Sequence, residues 1–140
     1  MFQVNHMSRI VILTGDRPTG RLHLGHYVGS LNLRLKYQDD KNCKQYVMVA
    51  DLQALTDYYS DPSRIVNSTF EVMCDYLAVG LDPKKTTFLL QSAIPELAEL
   101  TIHYMNLVTI ARLQRNPTVK SEIQQRGYSE SLTAGFLCYP

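Results

Sequence analysis

A parallel, doubly wound α/β sheet (Rossmann-like) is predicted by three observations. Short apolar, β-rich runs alternate with longer segments whose apolar residues recur at helical spacing. The order strand, helix repeats three times without an internal repeat, linker or low-complexity tract. Between the first strand and the first helix lies a turn carrying Gly15, Gly20 and Gly25, at the kind of junction where open α/β sheets place their ligands.

Each element has its own justification. Residues 10–14, Ile-Val-Ile-Leu-Thr, form a buried strand candidate. Residues 24–38 carry Leu24, Tyr27, Val28, Leu31, Leu35 and Gln38 at helical intervals, and Asp39-Asp40-Lys41-Asn42 ends them as a polar turn. Residues 45–50 read as a second strand that closes at Asp51. Asp61-Pro62-Ser63 is a helix start, with a capping aspartate and a proline in the first turn. That helix is expected to run to about Val79, with Ile65, Val66, Phe70, Val72, Met73, Tyr76 and Leu77 as its apolar face and Gly80 as its stop. Residues 86–90 form a third strand, and Pro95 opens a helix reaching toward Ile110. Residues 114–130 turn polar and basic, with Pro117 and Gly127, and read as a loop. Residues 132–137 are apolar again. Helices are expected on both faces of the sheet.

Composition narrows the classes. The chain has 140 residues, 45% of them hydrophobic and 19% charged, which suits one domain with a real core. The formal net charge of +1 gives no global pull toward nucleic acid or membrane. Cys43, Cys74 and Cys138 are scattered and odd in number, so neither a zinc knuckle nor a disulfide framework is indicated. That suits a reducing, cytoplasmic setting. No apolar run approaches the ~20 residues of a membrane helix, and residues 1–9 lack the apolar core of a secretion signal.

The chemistry concentrates at the first strand–helix junction. His23 and His26 sit three residues apart at a helix N-terminus, with Gly25 between them. Unpaired N–H groups and the helix dipole make such a terminus an anion site, where imidazoles can donate to phosphate oxygens. A glycine there lets a purine ring lie close to backbone. The competing reading, that the histidines merely cap the helix, is outweighed by their place after Pro18-Thr19-Gly20. A metal pair is the other possibility for such spacing; no carboxylate or thiol third ligand lies nearby, so no metal is assigned. Gly15, Gly20, Gly25 and Gly29 match neither a Walker loop nor G-x-G-x-x-G. Gly29, one turn after Gly25, lets the helix approach the sheet or a ligand. Arg17 in the turn and Lys120 in the basic segment 112–126 are candidate phosphate contacts; for Lys120 a solvated surface charge is the simpler reading. Asp51, Gln53 and Asp57, after the second strand, either hold polar groups of a substrate or, for Asp51, cap the next turn. The nine tyrosines are expected mostly at core positions.

These residues also carry a resemblance. His23-Leu24-Gly25-His26 resembles the "HIGH" signature of class I aminoacyl-tRNA synthetases. The longer text is similar to the tryptophanyl-tRNA synthetases. It comprises Thr14-Gly15-Asp16-Arg17-Pro18-Thr19-Gly20, His26-Tyr27-Val28-Gly29-Ser30-Leu31 and Ala50-Asp51-Leu52-Gln53-Ala54-Leu55-Thr56. Tyr76-Leu77-Ala78-Val79-Gly80-Leu81-Asp82-Pro83, Gln91-Ser92 with Ile94-Pro95-Glu96, and the closing Ala134-Gly135-Phe136-Leu137-Cys138-Tyr139-Pro140 complete it.

The resemblance implies activation of L-tryptophan with ATP, accompanied by Mg2+, to an adenylate and pyrophosphate, followed by transfer to tRNA(Trp). It implies His23, His26 and Thr19 as catalytic residues. Arg17, Pro18, Thr19, Gly25, His26 and Gly29, with Lys120, would form the ATP site. Leu13, Gln53 and Tyr139 would lie near the indole, although Gln53 stands where some members carry His. It implies a homodimer in the cytoplasm, with no membrane partner. The family's "KMSKS"-like lysine loop, the aspartate that reads the indole N–H and the anticodon-binding helices have no counterpart in these 140 residues. Residues 1–140 are therefore expected to be part of a nucleotide-binding catalytic domain, inactive alone. Three rival readings stand beside this one: a tyrosyl-tRNA synthetase, a small nucleotidylyltransferase with an H-x-G-H motif, and an interaction module using the apolar segment 95–110.

Overall fold

The computed structural model of the chain describes residues 9–126 and 133–138. Three parallel strands, β1 (Ile10–Asp16), β2 (Cys43–Val49) and β3 (Thr86–Leu90), lie in the order β1-β2-β3. Ile12 pairs with Gln45 and Thr14 with Val47; Val47 in turn pairs with Phe88. The first crossover is helical from Leu24 to Gln38, as α1 (Leu24–His26), a π-helical turn (Tyr27–Leu31) and α2 (Asn32–Gln38). The second is α3 (Asp51–Asp57) and α4 (Pro62–Ala78).

Two successive right-handed crossovers in one direction put their helices on one face of the sheet. The core shows this. Val47 and Val49 of β2, two residues apart and so on one face, are buried with Leu31 from the first crossover and Val72 and Tyr76 from α4. Burying each such aliphatic side chain is worth about 1.5–3 kcal/mol. Among the described residues the first crossover and α4 supply the helical part of this core. Val11 and Leu13, which alternate to the other face, are 66% and 62% exposed. The parallel α/β sheet with its crossover helices is the expected fold class, and the three described strands form one part of it.

Local chemistry explains the ends. The Asp61 carboxylate accepts from the Arg64 amide and from the Ser63 hydroxyl, which hold its pKa below the usual carboxylate value, the hydroxyl bond foremost. Gly80 stops α4 in a left-handed conformation, φ 104°. The Gly80 amide donates to Leu77 O and the Leu81 amide to Tyr76 O, at 3.1 and 3.0 Å, a Schellman closure that buries Leu81. Gln38 clamps this turn to α2, donating to Gly80 O and accepting from the Asp82 amide. Gly15 sits tightly against its neighbour strand, for a Cβ there would lie 2.5 Å from Met48 O. Gly15→Ala is therefore expected to cost about 1–3 kcal/mol by forcing β1 from β2. Urea denaturation checks it, and an unchanged midpoint would show that the strands yield freely.

Several expectations are corrected. A short helix, α6 (Ile110–Gln114), precedes the segment expected as a loop, and within that segment residues 117–126 are helical as α7 (Pro117–Arg126). The Thr109 hydroxyl caps the first, and the Asn116 side-chain oxygen accepts from the Thr118 amide at the start of the second, around Pro117. Polarity on most sides hid this helix, which buries Val119. Residues 127–132 lie outside the described residues. The helix opened by Pro95, α5 (Pro95–Met105), ends before Ile110, and 134–138 form a short helix, α8 (Ala134–Cys138). A 3-10 turn, Gln91–Ala93, follows β3. The residues after β2, where the sequence suggested at most a capped turn, form helix α3. On α4 the buried stripe is Ile65, Ser68, Val72 and Tyr76, whereas Val66 and Phe70 point outward and are strongly exposed. Of the tyrosines expected in the core, Tyr76 is buried while Tyr59 and Tyr104 are exposed.

Candidate active site

The site grows from the carboxyl end of β1. Beyond Asp16 the chain turns at Arg17-Pro18-Thr19, where the Thr19 amide donates to Arg17 O at 2.9 Å and Pro18 is buried. Gly20 has φ 146°, a backbone region that L side chains rarely adopt. The Leu22 amide then donates to the Asp75 carboxylate at 2.8 Å, pinning the turn to α4.

The two histidines build the helix start between them. His23 is the N-cap, its Nδ1 accepting from the Gly25 amide at 3.0 Å. His26 Nδ1 accepts in return from the His23 amide at 3.2 Å. This is a capping box made with imidazoles. A neutral imidazole that accepts at Nδ1 carries its proton on Nε2. Both rings are thus set as Nε2–H donors, with centroids 4.1 Å apart. The capping and phosphate-donating readings, set against each other by sequence, are compatible: one nitrogen caps and the other is left to donate. Gly25 has a reason that sequence missed. A Cβ there would come within 2.8 Å of the His23 ring, so glycine is what lets that ring fold onto the helix start. The helix continues through the π-helical turn, a local irregularity common at functional sites. Gly29 lies in it, with open space where a Cβ would stand.

A cleft of about 420 Å³ opens between β1, β2 and these turns, lined by Gly15, Asp16, Arg17, Thr19, His26, Met48, Ala50 and Gln53. Four residues singled out from sequence therefore meet there: Arg17, Thr19, His26 and Gln53. Arg17 is not a loose phosphate hook. Its Nη1 donates to Asp57 Oδ2 at 3.1 Å, and the Asp57 side chain is 5% exposed, so a buried carboxylate of α3 aims the guanidinium. Gln53 is set by its backbone amide, which donates to the Gln91 side chain at 3.1 Å. The Asp51 carboxylate accepts from the Ser92 amide at 2.9 Å and so ties α3 to the end of β3.

Other candidates lie elsewhere. Lys120 is exposed on α7 and does not line the cleft, and Leu13 points out of the uncovered sheet face. Tyr139 lies outside the described residues. Sequence reasoning missed Arg64, exposed at the start of α4. Its guanidinium carbon stacks 4.1 Å from the Tyr58 ring centroid, and Nη2 donates to Thr19 O at 3.4 Å. Among the described residues no cluster of three His, Cys, Asp or Glu side chains could hold a metal ion, and no helix is long and apolar enough to cross a membrane.

Similar proteins share both text and shape. The family model for class I tRNA synthetases (W and Y) matches residues 5–140. The tryptophan–tRNA ligase of Clostridium longisporum is 59% identical over 134 residues, and that of Streptococcus pneumoniae 60%. Each alignment covers 96% of this chain and 39% of the relative, so the chain spans about two fifths of the relatives' length. A tryptophanyl-tRNA synthetase structure from Campylobacter jejuni, complexed with ADP and tryptophan, superposes with a TM-score of 0.81. It is 26% identical, covering 94% of this chain and 39% of that one. A Mycoplasma pneumoniae tryptophanyl-tRNA synthetase gives 0.79 at 31% identity, covering 94% and 37%. With the strand–turn–helix cleft, the imidazole capping box and a family match over nearly its whole length, this chain belongs to the class I tRNA synthetases for tryptophan and tyrosine.

Proposed function

We propose that this chain is the ATP-binding part of a tryptophan–tRNA ligase. The observation that carries the reading is the capping box of His23 and His26, which leaves two Nε2–H donors at the start of a helical crossover beside the cleft. ATP occupies the cleft with its triphosphate toward His26, Thr19 and Arg17, and Mg2+ enters with the triphosphate as part of the substrate. A carboxylate oxygen of tryptophan attacks the α-phosphorus. The P–O bond to the β-phosphate breaks, and pyrophosphate leaves with that electron pair. Such a step needs alignment and charge stabilisation rather than a protein nucleophile, which matches a site of imidazoles and an oriented arginine. His23, His26 and Thr19 act on the phosphates, and Pro18, Gly25 and Gly29 shape the nucleotide floor. Lys120 and Tyr139 belong to the proposal through the resemblance alone. Gln53 lines the nucleotide cleft and a second, smaller one with Leu52, Leu97 and Cys138, and it marks where tryptophan would adjoin ATP. The adenylate is then consumed by tRNA(Trp).

Tryptophan is preferred over tyrosine because the relatives at about 60% identity are tryptophan ligases. The same text and cleft disfavour a nucleotidylyltransferase. The interaction reading joins this one. On α5 and just beyond it Ile102, Leu107 and Ile110 are each more than three-fifths exposed, an apolar face suited to a second copy in a cytoplasmic homodimer. Tryptophan-dependent exchange of pyrophosphate into ATP by the protein carrying this chain tests the reading. Exchange with tyrosine and none with tryptophan would overturn it. We further propose that residues 1–140 alone hold only part of the active site. Their exchange rate is expected to fall at least about 100-fold below that of the whole enzyme, the scale of losing one charge-stabilising group. An equal rate would refute this.

A further inference from the structure

The cleft is held from behind by a buried ionic cluster that the reaction itself does not use. Asp16, the last residue of β1, lines the cleft, and its backbone oxygen accepts from the Ala50 amide at 3.0 Å. Its carboxylate reaches back to the crossover helices. One oxygen, Oδ2, accepts from Arg34 Nη1 of α2 at 2.6 Å and from the Tyr76 hydroxyl of α4 at 2.6 Å. Arg34 Nη2 also donates to Gly15 O at 3.4 Å, and the guanidinium lies 5.7 Å from the Tyr76 ring centroid. Arg34 is 3% exposed and Tyr76 fully buried. Burial, then the Asp16 carboxylate, pushes the Tyr76 phenol well above its usual range, so it remains a donor at any working pH.

Stability does not explain this cluster. A buried ion pair is often no more stabilising than apolar side chains of similar volume. Here the surroundings are apolar, Leu31 and Val72 among them, and among the described residues the buried Arg34 Nε meets no acceptor, a desolvation cost without return. What a planar fork supplies is direction. It fixes the Gly15 carbonyl and the Asp16 carboxylate together, while Met48 blocks Gly15 from the β2 side. Arg17 follows directly, and Thr19 lies two residues further on.

We propose that Arg34 and Tyr76, acting through Asp16, are positioning residues for the nucleotide turn, holding the Gly15–Asp16 peptide so that Arg17 and Thr19 face the ATP triphosphate. This rests on the ATP reading above. The test uses the complete enzyme carrying this chain, with the double variant Arg34→Met, Asp16→Leu and the single variant Tyr76→Phe. The double variant is expected to melt within a few degrees of wild type, yet to raise KM for ATP about tenfold, the scale on which groups supporting a site act. KM for tryptophan should move less than about twofold, and Tyr76→Phe should raise KM for ATP about threefold, the scale of one net hydrogen bond. A folded double variant with wild-type KM for ATP, or with both KM values raised alike, overturns the proposal. If the double variant does not fold, an unchanged KM for ATP in Tyr76→Phe overturns it. A wild-type protein whose melting temperature ignores ATP would instead overturn the ATP reading, which separates the two failures.

Discussion

Replacing Arg34 alone by methionine is expected to destabilise the fold by about 3–5 kcal/mol, the cost of leaving a buried charge without its partner. Asp16 would keep the Tyr76 hydroxyl but lose its counter-ion, and its side chain is only 14% exposed. Chemical denaturation measures the loss. The sign of the coupling matters as much as the size. Adding Asp16→Leu to Arg34→Met should recover part of it, because the unpaired carboxylate is then gone while the buried Tyr76 hydroxyl is left without its acceptor. A single variant that loses less than about 1 kcal/mol, the worth of a solvated surface pair, would mean that water already screens Asp16.

The second large effect is catalytic. His26→Ala removes the acceptor of the reciprocal cap and the Nε2–H donor beside the cleft. The cap loss costs about 0.5–2 kcal/mol of stability. The donor loss is expected to lower kcat of the adenylate-forming step by about 100- to 1,000-fold, as for other preorganised donors to developing charge. His26→Asn separates the two roles. Its side-chain oxygen can still accept from the His23 amide, whereas nothing stands at the Nε2 position. Stability should recover in His26→Asn and kcat should not. Recovery of kcat with the cap would show that His26 only shapes the helix start. Pyrophosphate exchange at saturating ATP and tryptophan reads kcat directly.

The residues behind both effects were visible in the sequence by type, whereas their long-range partners were not. His23 and His26 stood out because two imidazoles and a glycine between a strand and a helix are an unusual local text. Arg17 stood out as a charge in the same turn. Its tether, Asp57, lies forty positions away, and only folding brings them to 3.1 Å. Arg34 gave no signal at all. A basic residue in an amphipathic helix reads as a solvated face, and nothing local shows that α2 turns it toward the end of β1. Val66 and Phe70 erred in the opposite direction, since apolar residues all round α4 left the buried stripe undecided until the sheet chose Ile65, Ser68, Val72 and Tyr76.

By itself the sequence determined the alternation of strands and helices, the caps at Asp61 and Gly80, and the strand–turn–helix site with its two imidazoles. These depend on periodicity and on hydrogen bonds between near neighbours, which a short stretch of chain specifies. The tertiary structure alone decided which sheet face the crossover helices cover, which carboxylate aims Arg17, and that Arg34 is buried against Asp16 and Tyr76. Those are contacts between residues 18 to 60 positions apart. Their energy depends on what else is buried around them, and no local pattern records that.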